Sequence, residues 1–272
     1  MKLRPKTMKS YFFLLPACLL MLSTACQKAV PEPVRNDEPS GEEVTEENVP
    51  APDGFTGQKY GDWTYMIRTE VMDTYAAKNA ISLLHKNLDQ IDGLLPEKAL
   101  SVMHKQPIWL EKNLTDGAAW YHTSKDWLRS QGYMVEKWRC VELCNYVHYV
   151  SWSKQNQPYM VLHELCHLYH DQGLPGGFDN PDVKKAYDSA MADGLYVNTA
   201  YRLDANTVIE HYDDTYHQKV YATTNCMEYF SEICEAYWGQ NDYFPFDYED
   251  LKDYDPYGFA LMEKIWGPRE LN

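Results

Sequence analysis

The chain has 272 residues and a formal net charge of -15, with 40 acidic against 25 basic side chains. That length suffices for one substantial hydrophobic core, and the negative balance makes nucleic acid and anionic lipid surfaces poor partners. The composition is globular and aromatic-rich, with 22 tyrosines.

At the N-terminus, Lys2, Arg4, Lys6 and Lys9 precede an apolar run from Tyr11 to Met21, which meets Ser-Thr-Ala-Cys at positions 23 to 26. A basic head, a short apolar stretch and small residues predict a secretory signal peptide over residues 1–25, and the run is too short for a comfortable membrane span. The small residues before Cys26 resemble the lipobox of bacterial lipoproteins, with Ser23 where that family usually has Leu. The resemblance implies export, lipidation of Cys26, and membrane attachment through a lipid anchor only, at the cell envelope or surface. Residues 26–59 are dominated by proline and acidic side chains and offer little to bury, which predicts a disordered tether. The folded domain is expected over residues 60–272.

Within that domain GDWTYMIRTEV, positions 61 to 71, predicts a strand, and AAKNAISLLHKNLDQIDGLL, 76 to 95, carries Ile81, Leu84, Leu88 and Ile91 at helical spacing. PEKALSVMHK opens with Pro96 at a good first helical position, and QPIWLEK reads as a strand. AAWYH, 118 to 122, is a further candidate strand. WRCVELCNYVHYVSW, 138 to 152, suits either a strand or a helix. A stronger helix opens at Pro158 and runs to Gly173; it is apolar nearly all round and should be buried. DVKKAYDSAMADGL predicts another helix, and MEYFSEICEAYW, after Asn225, a third that ends at Gly239.

Beyond Cys26 the domain holds Cys140, Cys144, Cys166, Cys226 and Cys234, an odd set for an exported protein, so a monomer should keep a free thiol. Cys166, among Leu, Val and Tyr, reads as a small core hydrophobe. Cys140, Cys144 and His148 fall at i, i+4 and i+8, a spacing that alone defines no closed zinc site.

The chemistry concentrates in VLHELCHLYHD, Val161 to Asp171. His163 and His167 are four apart, so on a helix both imidazoles leave one face and reach one ion. Glu164 is placed to miss the ion and touch a water bound to it. This HExxH arrangement resembles that of the zincin metallopeptidases. Two histidines and a glutamate in an apolar helix each carry a desolvation cost that a metal offsets. A catalytic zinc needs a third protein ligand and an open position. His170 is on roughly the same side, but three ligands along two turns of one straight helix cannot converge tetrahedrally. His211 and His217 lie in a polar stretch that reads as loop. Glu228, Glu232 and Glu235 recur at i, i+4 and i+7, a stripe that should face solvent or a cation. Against that, Asn225 and Glu228 would make an acceptable capping box.

YATTNCMEYFSE, Tyr221 to Glu232, placed after HELCH, resembles the catalytic domain of anthrax lethal factor and its relatives among the gluzincins, in which a tyrosine, a Thr-Asn pair and two glutamates four apart recur. The resemblance covers the region from about Asn145 to the end. It implies an α+β zincin-like metallopeptidase domain with Zn2+ held by His163, His167 and Glu228. It also implies that Glu232 orients a zinc-bound histidine from outside, that Tyr221 stabilises the oxyanion, and that Glu164 is general base in hydrolysis of a peptide or protein substrate. Nothing resembles the toxin's translocation or docking domains, so toxin activity does not follow. The rival expectation is a surface lipoprotein that uses its tyrosines and tryptophans to bind peptide or glycan on a zincin scaffold that no longer cuts.

Overall fold

A computed structural model describes residues 47–112 and 116–269. The expected signal peptide, Cys26 and the first part of the expected tether lie outside them. The fold is mixed α+β. Its strands are β1 (Glu47–Val49), β2 (Phe55–Tyr60), β3 (Trp63–Arg68), β4 (Ile108–Leu110), β5 (Trp120–Tyr121) and β6 (Val141–Leu143), with a separate pair β7 (Tyr201–Asp204) and β8 (Thr207–Ile209). The helices are α1 (Tyr75–Leu94), α2 (Glu97–Met103), α3 (Lys125–Ser130), α4 (Tyr146–Gln155), α5 (Met160–Gly173), α6 (Pro181–Ala192), α7 (Tyr212–Tyr216), α8 (Cys226–Trp238), α9 (Tyr248–Tyr254) and α10 (Pro256–Trp266).

The larger sheet has the order β1-β2-β3-β4-β6-β5. The chain meanders antiparallel through β1, β2 and β3, β4 and β6 follow in parallel, and β5 returns antiparallel along β6 as the far edge. Strand β1 and all of β2 but Tyr60 fall within the segment expected as tether, so the folded unit starts earlier than Tyr60: Glu47 pairs with Lys59 and Val49 with Gly57. The composition hides this because β1 contributes ladder hydrogen bonds at an edge, with Glu47 and Asn48 exposed, and not apolar burial.

Period-2 alternation divides the sheet's faces. Tyr65, Ile67, Leu110, Val141 and Leu143 point inward to the main core with Leu84 and Leu88 of α1 and Val161, Leu165 and Leu168 of α5. On the outer face Met66 and Trp109 join Phe55 and Cys140 in a small apolar cluster. The ambiguous segment is both things in turn, strand β6 and then helix α4. Asn145 makes the switch by accepting hydrogen bonds from the N–H groups of Val147 and His148, each at 3.2 Å. The break removes the helical phase that would have lined up Cys140, Cys144 and His148.

Beside the outer cluster is a chain of buried charges. Lys137 donates to Glu111 at 2.6 Å and to Glu142 at 2.5 Å, Arg68 donates to Glu111, and Glu142 meets His122 Nε2. Burial raises the Glu142 pKa, but His122 and Lys137 outweigh it and hold the carboxyl below its ordinary range. Lys137 is 1% exposed and both its partners 0%, so water cannot replace it. Lys137→Ala should therefore lower unfolding free energy by about 3–5 kcal/mol, read as a shift of the urea midpoint; a shift equivalent to under about 1 kcal/mol would show the network to be energetically neutral.

Candidate metal centre

Helices α5 and α8 pack against each other across the core, and each presents polar groups at one point of the contact. On α5 the rings of His163 and His167 stand 4.8 Å apart at 82°, one turn apart on one face. On α8 the Asn225 side chain caps the helix, accepting from the N–H groups of Met227 and Glu228 at 2.8 and 3.0 Å. With the cap supplied by Asn225, the Glu228 carboxylate turns to the histidines. Its Oε2 stands 3.2 Å from His163 Nε2 and 3.0 Å from His167 Nε2. The three buried side chains bring their ligand atoms within 4.8 Å of one another, a group able to hold a metal ion.

The far sides of the rings fix what the near sides offer. His163 Nδ1 lies 2.7 Å from Glu235 Oε1. His167 Nδ1 lies 3.1 Å from Ser231 Oγ, which donates its own hydrogen to the His163 carbonyl at 3.1 Å. A carboxylate and a hydroxyl whose hydrogen is committed both accept, so each Nδ1 carries a proton and each neutral ring turns the lone pair of Nε2 towards Glu228. Two lone pairs facing a carboxylate oxygen repel unless a cation or extra protons lie among them. The donor set, two imidazoles and one carboxylate, suits a borderline divalent metal.

Without a metal, His163 takes a proton. Burial pulls His163 down, but Glu228 and Glu235 outweigh it and hold its pKa well above 6.5. Burial likewise raises Glu228, but His167 and His163 drive it far below the ordinary carboxylate range. Behind His163, burial lifts Glu235 to about 7 and Asp242 to about 6, and burial with Asp242 and Glu235 as neighbours holds Glu232 well above 4.5. Glu232, which the resemblance makes the orienting carboxylate, stands 3.8 Å from His163 Nδ1 and accepts from Asn241 at 3.1 Å. The direct bond to His163 is made by Glu235. Glu232 and Glu235 with His163 form a second group able to hold a metal by distance.

Glu164 is half-buried on α5. Burial raises its pKa, with His163 and His167 lowering it in part and Glu228 adding to the rise. Tyr221 lies in a single 3-10 turn, Tyr221–Thr223, ahead of α8. Its ring centroid is 5.9 Å from that of His163, and burial followed by the charges of Glu228 and Glu164 holds its hydroxyl fully protonated. Tyr221 therefore stands beside His163, and Glu164 follows His163 on α5.

His170 does not join the cluster of His163, His167 and Glu228. Its ring packs on Phe230 and Phe178, burial drops its pKa to about 4, and neither ring nitrogen has a hydrogen-bond partner among the described residues. His211 and His217 are exposed beside α7. Asp171 proves to have a task that the sequence leaves unassigned: its Oδ2 accepts from Tyr121 and from Arg139, each at 2.6 Å, tying edge strand β5 to α5. The Tyr121 ring centroid is 6.5 Å from that of His167. Ser231 gave no signal in the sequence, and Glu235 appeared only as the third member of a carboxylate stripe. Comparison of the chain with protein-family models, with curated proteins and with solved structures returns no match.

Two outcomes follow. Glu235→Gln should weaken metal binding about 10 to 100-fold, with a smaller loss for Glu232→Gln, measured by competition with a chelating dye; the reverse order would show that Glu232 holds the ring. For the metal-free protein, Glu235 and His163 both bind protons more readily folded than unfolded. Their stabilisation is complete below the ordinary values of 4.5 and 6.5 and is lost as pH rises through the folded values, about 7 for Glu235. Its melting temperature should fall between about pH 5 and pH 8, and fall less in Glu235→Gln; a flat profile would contradict the assigned directions.

Proposed function

We propose that this chain is a zinc-dependent metallopeptidase with a zincin-like domain, exported and held at a membrane through Cys26. The observation that carries the proposal is the convergence of His163 and His167 Nε2 on Glu228 Oε2, with both Nδ1 protons committed elsewhere. Zinc held there by His163, His167 and Glu228 would supply a Lewis acid and a water whose pKa is lowered towards about 7.

The chain's own groups do the rest. Glu164, next to His163 in the chain and with no capping or salt-bridge partner among the described residues, takes a proton from the attacking water and returns it to the leaving amine. Its burial-raised pKa suits a group that must both accept and release. The Tyr221 hydroxyl, kept protonated by burial and by two carboxylates, donates to the carbonyl oxygen as negative charge develops there. Glu235 and Ser231 hold the two imidazoles in the Nε2-ligating tautomer. Strand β5, the open edge of the sheet next to His167, is where an extended substrate would add as a further strand.

Metal content and hydrolysis of a mixed peptide library test this, comparing wild type with Glu164→Gln, Glu228→Ala and Tyr221→Phe. The expected result is about one zinc per chain in wild type, Glu164→Gln and Tyr221→Phe, and little in Glu228→Ala. Turnover should be abolished by Glu164→Gln and Glu228→Ala and reduced about 10²–10³-fold by Tyr221→Phe. Four proteins that hold equal zinc and behave alike would sink the assignment, and zinc without turnover on any peptide would favour a binding protein on the same scaffold.

A further inference from the structure

Alternation along β5 sends Tyr121 to the inner face, against His167, and Trp120 and the next residue, His122, to the outer face. His122 spends its main-chain groups on the β6 side, donating to the Cys140 carbonyl at 3.2 Å and accepting from Arg139 N–H at 2.7 Å. In an antiparallel ladder the next residue then turns its N–H and C=O the other way. Tyr121 therefore offers its donor and acceptor to the open edge. A peptide adding there pairs one residue with Tyr121, and that residue's two neighbours stand beside Trp120 and His122 on the outer face.

The outer face at that point is aromatic. Trp127 of α3 and Tyr133 stack at 5.3 Å and 14°, and Trp120 meets both edge-on at 6.0 and 6.2 Å. His122, on the same outer face and held by Glu142, packs against Trp127 and Tyr133. Trp127 remains 44% exposed, so the cluster is not consumed by packing within the chain. The basic side chains nearest in sequence, Lys125 and Arg129 on the same helix, disfavour a cationic occupant, although Asp126 engages Arg129.

We propose that Trp120, Trp127 and Tyr133 form a specificity subsite for a bulky apolar side chain, aromatic by preference, on a peptide bound along β5 next to the residue that pairs with Tyr121. The inference rests on the peptidase reading. Its occupant follows from the neighbouring open strand edge, which takes a polypeptide, and from the ring geometry, which favours another ring placed edge-on or offset against Trp127.

The test is the cleavage profile of full-length, zinc-loaded protein on a positional peptide library, for wild type, Trp127→Ala, Trp120→Leu and Tyr75→Ala. Tyr75 is the remote control, an exposed aromatic on α1. Equal zinc content and similar melting temperatures certify the fold, and Trp120→Leu stands in if Trp127→Ala fails that check. Wild type should favour aromatic over alanine at one position by at least about ten-fold in kcat/KM. Either subsite variant should collapse that ratio towards one, and Tyr75→Ala should keep it. Cleavage by wild type with no such preference, or a preference that survives both subsite variants, overturns the subsite and leaves the peptidase standing. Wild type that cuts nothing, like Glu164→Gln, ends the peptidase reading and the subsite with it. An unmoved cleavage profile with lost binding to an oligosaccharide array would make the cluster a sugar platform and overturn the inference.

Discussion

Everything at the centre depends on where two protons are. Glu235 and the Ser231 hydroxyl accept from the Nδ1 atoms of His163 and His167, and this leaves the Nε2 atoms as acceptors turned to the Glu228 carboxylate. Three electron-rich atoms then share a space that water barely reaches. Such an arrangement is costly in a bare protein. It is offset by a proton on His163, whose pKa Glu228 and Glu235 raise while the histidines lower that of Glu228, or by a divalent cation.

The scaffold makes that geometry hard to relax. Both helices that meet at the centre are buried along most of their length, α8 on every residue from Glu228 to Trp238 and α5 on nearly every one from Met160 to His170. Apolar packing of Leu165, Cys166, Phe230, Ile233 and Cys234 sets their distance, and the Asn225 cap sets the phase at which Glu228 leaves α8. Strand β5 is held to α5 by the Asp171 bonds and to the outer face by the buried ions around Lys137.

The sequence spoke most clearly where periodicity and chemistry coincide. The HELCH helix, the α8 helix and α1 are where their spacing places them, because each has an apolar face that only a helix can bury. Tyr221 and Glu228 were legible through resemblance, not through spacing, and the structure brings both to the histidines. The exchange of Glu232 for Glu235 at His163 Nδ1 was not legible. Both lie on the α8 stripe, and only the packing of α8 decides which carboxylate faces the ring and which meets Asn241. Strand β1 was hidden for the opposite reason, since an exposed edge strand is held by main-chain hydrogen bonds that composition does not record. The segment around Cys140 and Cys144 failed to declare itself because it is strand and helix in succession, divided by one capping asparagine.

A zinc-edge X-ray absorption spectrum of the purified protein tests the central claim most directly. Ligation by His163, His167 and Glu228 predicts imidazole nitrogen and carboxylate oxygen at about 2.0–2.2 Å with no sulfur scatterer, and loss of that signal in Glu228→Ala. A sulfur shell near about 2.3 Å, or protein that takes up no stoichiometric metal, would contradict it.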